Sequence, residues 1–489
     1  MTTMTRNQTW QTDTWQGKSL TVLGLSRSGV AVARYVAQRG GRVFLSDTAP
    51  ASPRNETWRQ ELDALGVMVE MGGHSGQCFS HAERVVVSPG IPLGSDILEQ
   101  LRLSGKTILS EVEFAWRETS NIPFIGITGT NGKSTTTTLI SWILTQAGLY
   151  APACGNIGIP VTDVINRLPD KPLPDHLVVE LSSFQLECSP TLKPAIAILT
   201  NFKPDHLDWH GSLEAYREAK LKLFTGPRSP QWSILPADDP IGPEAAARTE
   251  GQVLWFSRHA ASVQNFPHKI YVDADGFFVV NLQGQKPIRL FAVNELTIIG
   301  DHNVENALVS AAAAHLSGIA PSQIADACRA FQGLEHRLER LEPVRTAEAG
   351  DVLFYNDSKA TNTDAAISAL RAFKSRPVIL IAGGYDKMTP LDEFVVEVQQ
   401  HAKTIILIGA AKERFARALA EEGFDAVTFA ATLQEAVAEA LRLSQGEPVL
   451  FSPACSSFDM FTNFEERGQA FKQAVQTLRA QQTQTPVGG

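Results

Sequence analysis

The sequence predicts an α/β chain of three domains with mainly parallel sheets, on three observations. Its 489 residues exceed what a single hydrophobic core usually organises. Short apolar runs of strand length alternate throughout with amphipathic segments of helix length. Several of these runs deliver Gly or Ser at their carboxyl ends, where open α/β sheets bind ligands.

Composition agrees with this class. Hydrophobic residues at 43% and charged residues at 19% are globular proportions. A net charge of −9 argues against a general nucleic-acid or anionic-membrane binder, while leaving room for a local phosphate pocket. Cys78, Cys154, Cys188, Cys328 and Cys455 are an odd number without CxxC spacing, so reduced cytoplasmic thiols are expected rather than a disulfide framework or zinc site. The opening "MTTMTRNQTWQTDTWQ" lacks the apolar stretch of a signal peptide, and no run approaches the roughly 18 apolar residues of a membrane span. The expectation is a polar leader over residues 1–17, a frayed tail "AQQTQTPVGG", and a cytoplasmic chain without membrane insertion.

The first domain, expected over 18–119, begins "KSLTVLGLSRSGVAVARYVAQRGGRVFLSDT". Strand, glycine turn, amphipathic helix and a strand ending at Asp47 make a Rossmann-like opening. Ser26, however, stands where the middle glycine of GxGxxG would admit a pyrophosphate. "AERVVVSPGIP" adds a strand ending in a turn at Ser88 to Gly90, and the helix-like "SEVEFAWRET" leads to a boundary near Ser120. The second domain, expected over 120–334, is a P-loop ATPase-type unit with a mainly parallel sheet. It holds strands such as "HLVVELSSF" and "PAIAILTNF", the helix "LEAYREAKLKLF" and a late helix in "GDHNVENALVSAAAAHL". The third, expected over 335–489, is again Rossmann-like, with "VILIAGGYDK", "TIILIGAAKERF" and "PVLFSPACSSFDMF".

The most informative stretch is "IPFIGITGTNGKSTTTTLISWIL", Ile122 to Leu144. A short apolar strand runs through "TGTNGKST" into a helix. The loop amides and the helix N-terminus attract phosphate oxygens, Lys133 adds a positive charge and Ser134 offers a hydroxyl to Mg²⁺. The strict GxxxxGK[ST] template fails, because Ile127 stands at its first glycine and Gly126 lies one place earlier. Such a loop does not distinguish a kinase, an ATPase or a ligase.

Three further places bear chemistry. Glu180 ends an apolar strand, where a buried carboxylate needs a partner or a metal; a strand-end carboxylate in water is the plain alternative. Asp205, His206, Asp208 and His210 crowd one loop, suiting a hard cation with mixed ligands or a solvated polar loop equally. Lys220 and Lys222 face different sides of their helix. Lys220 is either a surface lysine or, if it points into a metal site, an amine that must be neutral or carbamylated.

"GTNGKST", "NIG" (Asn156 to Gly158), "ELSSFQLE", "TNFKPDHLDWH", "YREAK", "DHNVENA", "HRLE" and "NDSKATN" together resemble the Mur ligases, the ATP-dependent amide-forming enzymes of peptidoglycan precursor synthesis. The resemblance spans about residues 18 to 475. Within the family, "SPACSSFDMFTNFEERG", "GGYDK" and the short first domain are most similar to the D-glutamate-adding branch; the D-N-P-R-type motif of the diaminopimelate-adding branch is absent. The resemblance implies ATP as co-substrate, two Mg²⁺ ions, UDP-N-acetylmuramoyl-L-alanine and D-glutamate as the other substrates, an acyl-phosphate route and a monomer.

It also implies roles by position. Gly129, Thr130, Asn131, Gly132, Lys133, Ser134 and Thr135 would hold the ATP phosphates, with Asn306 on the adenine side and Arg337 and Asp357 reaching the nucleotide from the third domain. Ser134, Glu180, His206 and a carbamylated Lys220 would hold metal, and Lys359 would lie close to the transferring phosphate. Arg27, Ser28, Asp47, Thr48, Ser88 and Gly90 would cradle the uridine diphosphate, with Asn156 at the muramoyl part. Thr361, Lys387, Ser457 and Phe464 would receive D-glutamate. Two departures stand out: members often carry an apolar or small residue at Arg27, and Met388 and Thr389 follow Lys387.

Three other readings compete. A related ligase such as a folylpolyglutamate synthase would share the ATP loop but use another acceptor. A nucleotide-sensing binder would keep the folds without catalysis, yet has little use for Glu180, His206 and Lys220 together. A nicotinamide dehydrogenase is opposed by Ser26.

Overall fold

The computed structural model describes residues 15–484 except 93, 120–121, 169–171, 227–228, 347–348 and 374–375. Most of the expected leader, the end of the tail and the boundary at Ser120 therefore lie outside the described residues. The described chain forms three α/β domains, each around its own sheet.

The first sheet has the order Met68–Met71, Arg42–Asp47, Ser19–Leu23, Arg84–Val87, Thr107–Ser110, all parallel. The chain reverses its direction of winding on either side of Ser19–Leu23, so the carboxyl ends carrying Gly24, Asp47 and Ser88 flank a topological switch point. Gly29 lets the helix Arg27–Gln38 lie close: a Cβ there would come within 2.1 Å of the Gly24 carbonyl.

The second sheet has nine strands. Ala153–Gly155, Leu177–Glu180, Phe124–Thr128, Ile196–Leu199, Trp232–Pro236, Gln252–Ser257 and Lys269–Val272 are parallel. Phe277–Asn281 and Ile288–Ala292 then extend it as antiparallel hairpins, turned by positive-φ Gly276 and Gly284. The strand Phe124–Thr128 is interior to the sheet and buried along its length, as its mostly apolar run requires.

The first two domains share one hydrophobic core. A single cluster includes Tyr35 and Phe114 of the first domain and Phe124 and Leu177 of the second. Two glutamates on the helix Glu111–Glu118 fasten the junction. Glu111 accepts from the amide and hydroxyl of Thr162 (2.6 and 2.7 Å), and Glu113 from the amides of Thr191 and Leu192. Trp15, within the expected polar leader, is 3% exposed; it packs on Phe114 and its indole donates to Glu118. Its large ring outweighs the polar residues around it.

By compactness the chain divides into two units: residues up to 295 with 305–329, and residues 296–304 with 330 onward. The second unit holds the third sheet, ordered Glu339–Arg340, Phe354–Asn356, Val449–Phe451, Val378–Gly383, Ala402–Ile408, Val427–Phe429; only Glu339–Arg340 runs antiparallel. Its strands are sandwiched between two apolar layers, centred on Leu380 and Ile381 respectively.

Candidate functional site

The glycine loop after Phe124–Thr128 is built to a fixed shape. Gly129 and Gly132 have φ of 141° and 83°, values that favour glycine. A Cβ on Gly129 would meet Thr200 Oγ1 at 2.0 Å, and one on Gly132 would meet Asn306 Oδ1 at 2.3 Å. A second loop grips the first: the Thr130 amide donates to the Asn201 carbonyl (3.0 Å), the Asn131 amide to Asn201 Oδ1 (2.9 Å), and Thr200 Oγ1 to the Asn131 carbonyl (2.7 Å). Gly132 is the N-cap of the helix Lys133–Gln146 and supplies no capping side chain, and Ser134 and Thr135 stand in the first turn that follows, a geometry that suits an anion. Lys133 folds back and donates to the carbonyls of Gly129 (2.9 Å) and Thr130 (2.8 Å).

Lys220, open to two readings in sequence, is 1% exposed. It reaches the underside of the same loop, donating to the Gly129 carbonyl at 2.7 Å, with its amine 4.4 Å from the Tyr216 ring centre. Burial, and secondarily the charge of Lys133, holds its pKa well below the usual lysine range, against the pull of Asp205. Tyr216 in turn bonds Thr130 Oγ1 at 3.2 Å and is pushed up to about 12 by burial. Tyr216 carries no signal of its own in the sequence, although its spacing of four from Lys220 puts both on one helix face. Lys222, on another face, pairs with Glu187.

Glu180 is 3% exposed at the end of Leu177–Glu180. Its Oε1 accepts from Asn156 Nδ2 at 2.8 Å, which joins two residues predicted separately, while its Oε2 is buried without a hydrogen-bond partner. An orphaned carboxylate oxygen is costly unless a cation completes it, so this residue fits a metal ligand. His206 adopts φ 50° after Asp205, whose carboxylate accepts its amide at 2.9 Å, and its ring meets those of Phe184 and Tyr216 edge-on. His210 instead bonds Ser183 Oγ at 2.9 Å and stacks on Phe184. The side chain of Asp208 lies outside the described residues. Asn306 is 4% exposed and braces the loop from behind, accepting from Thr136 Oγ1 at 3.2 Å.

In the first domain Asp47 accepts the amides of Leu25 (2.6 Å) and Ala49 (2.7 Å), and Ser88 Oγ lies 2.8 Å from Ser26 Oγ. Ser28, Thr48 and Gly90 surround this turn, the latter two exposed. Arg27 is exposed and lines an open cleft with Trp58, Ile159 and Arg167, so its side chain borders the loop that follows Asn156.

The second unit gathers the remaining candidates on three loops. Lys359 Nζ sits 4.7 Å from the Phe464 ring centre, and the Thr361 amide donates to the Lys359 carbonyl. Ser457 is 3% exposed and its carbonyl accepts from Phe461. The Tyr385 amide bonds the Ser456 carbonyl at 2.9 Å, drawing the loop of exposed Lys387 against that of Ser457. Asp386 shapes this loop, gripping Arg414 and accepting the amide of positive-φ Met388. Asp357, 8% exposed, bonds Ser452 Oγ at 2.7 Å and the Leu338 amide; burial raises it to about 7, offset in part by those bonds and by the charge of Arg337.

A phosphate-type loop, a buried lysine beneath it and an unsatisfied carboxylate on the neighbouring strand mark a nucleotide-dependent enzyme of α/β domains. Residues 18–110 match the Mur ligase MurD-like N-terminal domain, 127–314 the Mur ligase middle domain and 339–455 the glutamate ligase domain of Mur ligases. The chain is 38% identical to the UDP-N-acetylmuramoylalanine--D-glutamate ligase of Pelotomaculum thermopropionicum, over 94% of this chain and 98% of that one. It is 40% identical to the same-named enzyme of Acidobacterium capsulatum, over 94% and 96%. The UDP-N-acetylmuramate-alanine ligase MurC of Thermotoga maritima shares the fold, with a TM-score of 0.55 at 19% identity over 94% of this chain and 99% of that one. The chain belongs to the Mur ligase family, and it is an ATP-dependent amide-forming ligase. No described helix is long and apolar enough to cross a membrane.

Proposed function

We propose that the chain joins D-glutamate to UDP-N-acetylmuramoyl-L-alanine in peptidoglycan precursor synthesis, acting as a cytoplasmic monomer. The near-full-length relatives carrying that activity in their names support the substrates. The observation that carries the chemistry is the Gly129 loop: one carbonyl receives both Lys133 and Lys220, beside a helix whose N-cap, Gly132, offers no side chain.

ATP phosphates would rest on the amides of the Gly132–Thr135 turn, and Lys133 would leave its two carbonyls for the phosphate oxygens, an exchange that favours the charged partner. Phosphoryl transfer from ATP to the alanyl carboxylate gives an acyl phosphate and ADP. Attack by the D-glutamate amine, with loss of a proton, then forms the amide and releases phosphate. Mg²⁺, in two ions, would be held by Ser134, Glu180, His206 and a carbamylated Lys220, and would supply charge neutralisation at the phosphates. Glu180 fits because of its bare Oε2; Lys220 fits because burial lowers its pKa and so favours the uncharged amine, the form that reacts with carbon dioxide. Asn156 holds Glu180 in orientation through its Oε1. Asp47 suits a ribose hydroxyl rather than a phosphate, since its carboxylate repels anions. Lys359 would neutralise the acyl phosphate, while Lys387, Thr361 and Ser457 would meet the carboxylates of D-glutamate and Phe464 its methylenes. Domains over 18–119, 120–334 and 335–489 would carry uridine substrate, ATP and amino acid in turn.

The deciding experiment is product mass after incubation with ATP, Mg²⁺, UDP-N-acetylmuramoyl-L-alanine and either glutamate enantiomer. A product heavier by one glutamyl residue is expected with the D form only. The same product from L-glutamate, or none from D-glutamate, overturns the reading.

A further inference from the structure

Arg467 is among the largest side chains buried almost completely, at 1% exposure. Its guanidinium gives its hydrogen bonds to uncharged groups: Nε to Ser358 Oγ at 3.1 Å, Nη2 to the Ser358 carbonyl at 2.7 Å and Nη1 to the Cys455 carbonyl at 2.9 Å. Among the described residues no carboxylate forms an ion pair with it. Asp459 and Asp357 act on it only from a distance, and burial pulls its pKa down to about 10. A guanidinium buried without a counter-ion is costly, and neutral residues could have tied the same backbone together.

The loops it ties are those carrying the proposed amino-acid site. Ser358 precedes Lys359, and its hydroxyl bonds the Phe464 carbonyl at 2.8 Å. Cys455 lies two residues before Ser457. Gly384, three residues before Lys387, packs so that an added Cβ would stand 3.3 Å from Arg467 Nη1. Resting on the amino-acid site proposed above, we infer that Arg467 is a positioning residue that holds these three loops together and supplies the fixed positive charge selecting a dicarboxylic amino acid. The incoming anion adds to the charge that Asp459 and Asp357 balance only from a distance, through the field of the loop rather than by contact.

The test measures KM for all three substrates, and the ratio of kcat/KM for D-glutamate over D-glutamine, in wild type, R467M and R467K, each checked by thermal melting. R467M is expected to raise the KM for D-glutamate by about tenfold or more and to shrink the glutamate-to-glutamine ratio, with the KM for ATP and the uridine substrate within about twofold of wild type. R467K, keeping the charge but not the planar fork, is expected to preserve the ratio while raising the D-glutamate KM by a smaller factor. A ratio that is unchanged in R467M, or KM values that rise equally for all three substrates, overturns the inference. Where R467M does not fold, R467K decides: loss of the ratio despite the retained charge overturns it. A wild type that does not use D-glutamate removes the underlying reading instead.

Discussion

Two strand–glycine turn–helix units, one in each of the first two domains, treat the helix N-terminus in opposite ways. After Ser19–Leu23 the turn is filled from within. Ser26 caps the helix by accepting the Gly29 amide, Asp47 takes the Leu25 amide, and Ser88 leans on Gly24. After Phe124–Thr128 the N-cap is Gly132, with no side chain to offer, and a lysine follows it. The first turn is thus supplied with oxygens and the second with N–H groups and positive charge. On the function proposed above, the same backbone motif would face a hydroxyl-bearing group in one domain and phosphates in the other.

The comparison breaks most decisively at Lys220. Lys220→Arg keeps a cation that does not readily form a carbamate, and kcat is expected to fall by about 10²-fold or more with the melting temperature preserved. Near-normal turnover would show that the lysine beneath the second turn is only structural. Gly132→Ala comes next: the positive φ and the 2.3 Å approach to Asn306 Oδ1 predict a loss of about 1–3 kcal/mol in stability and a raised KM for ATP. Its counterpart Gly29→Ala, driving a Cβ toward a backbone carbonyl, is expected to lower the melting temperature while leaving the ATP KM near wild type.

A pH effect tests the fastening of the first turn's domain. Burial, opposed by its bonds from Thr162, raises Glu111 from 4.5 to about 7. The folded state therefore binds the proton more tightly than the unfolded chain, so this contribution to stability is full below about pH 4.5 and is lost as pH rises toward about 7. Melting curves across that window should fall with pH in wild type and be flatter in Glu111→Gln; parallel curves would exclude Glu111 as the source. The smallest effect is expected from Ser26→Ala, a lost cap worth about 1 kcal/mol in thermal melts, with ATP kinetics unmoved.

Much of this contrast is readable in the sequence. Ser26 interrupting GxGxxG and the "GTNGKST" run already separate the two turns, because glycine and lysine positions in a short loop dictate its donors locally. Strand and helix order followed from apolar periodicity for the same reason. What was not legible depends on distant partners. Nothing near Lys220 in the chain tells that its amine ends on the Gly129 carbonyl 91 residues away. Tyr216 and the bracing of the loop by Thr200 and Asn201 are equally non-local. Arg467 left a trace, since Phe471, Val475 and Leu478 continue its stripe on the helix Phe464–Gln484, but an arginine in an apolar stripe reads first as solvated. Trp15 shows the converse error, in which polar neighbours hide a core residue.

The core that runs from Tyr35 through Phe114 to Phe124 also fixes where this chain is divisible. Dissecting it at the sequence boundary near residue 120 would strip Phe124 of Trp116 and leave Glu113 without its amides on Thr191 and Leu192. A nucleotide-binding module excised alone would be a sticky fragment, with Phe124 bared and the amides of Thr162, Thr191 and Leu192 stripped of their carboxylates, so within this unit the smallest part that protein engineers can transplant intact is the pair.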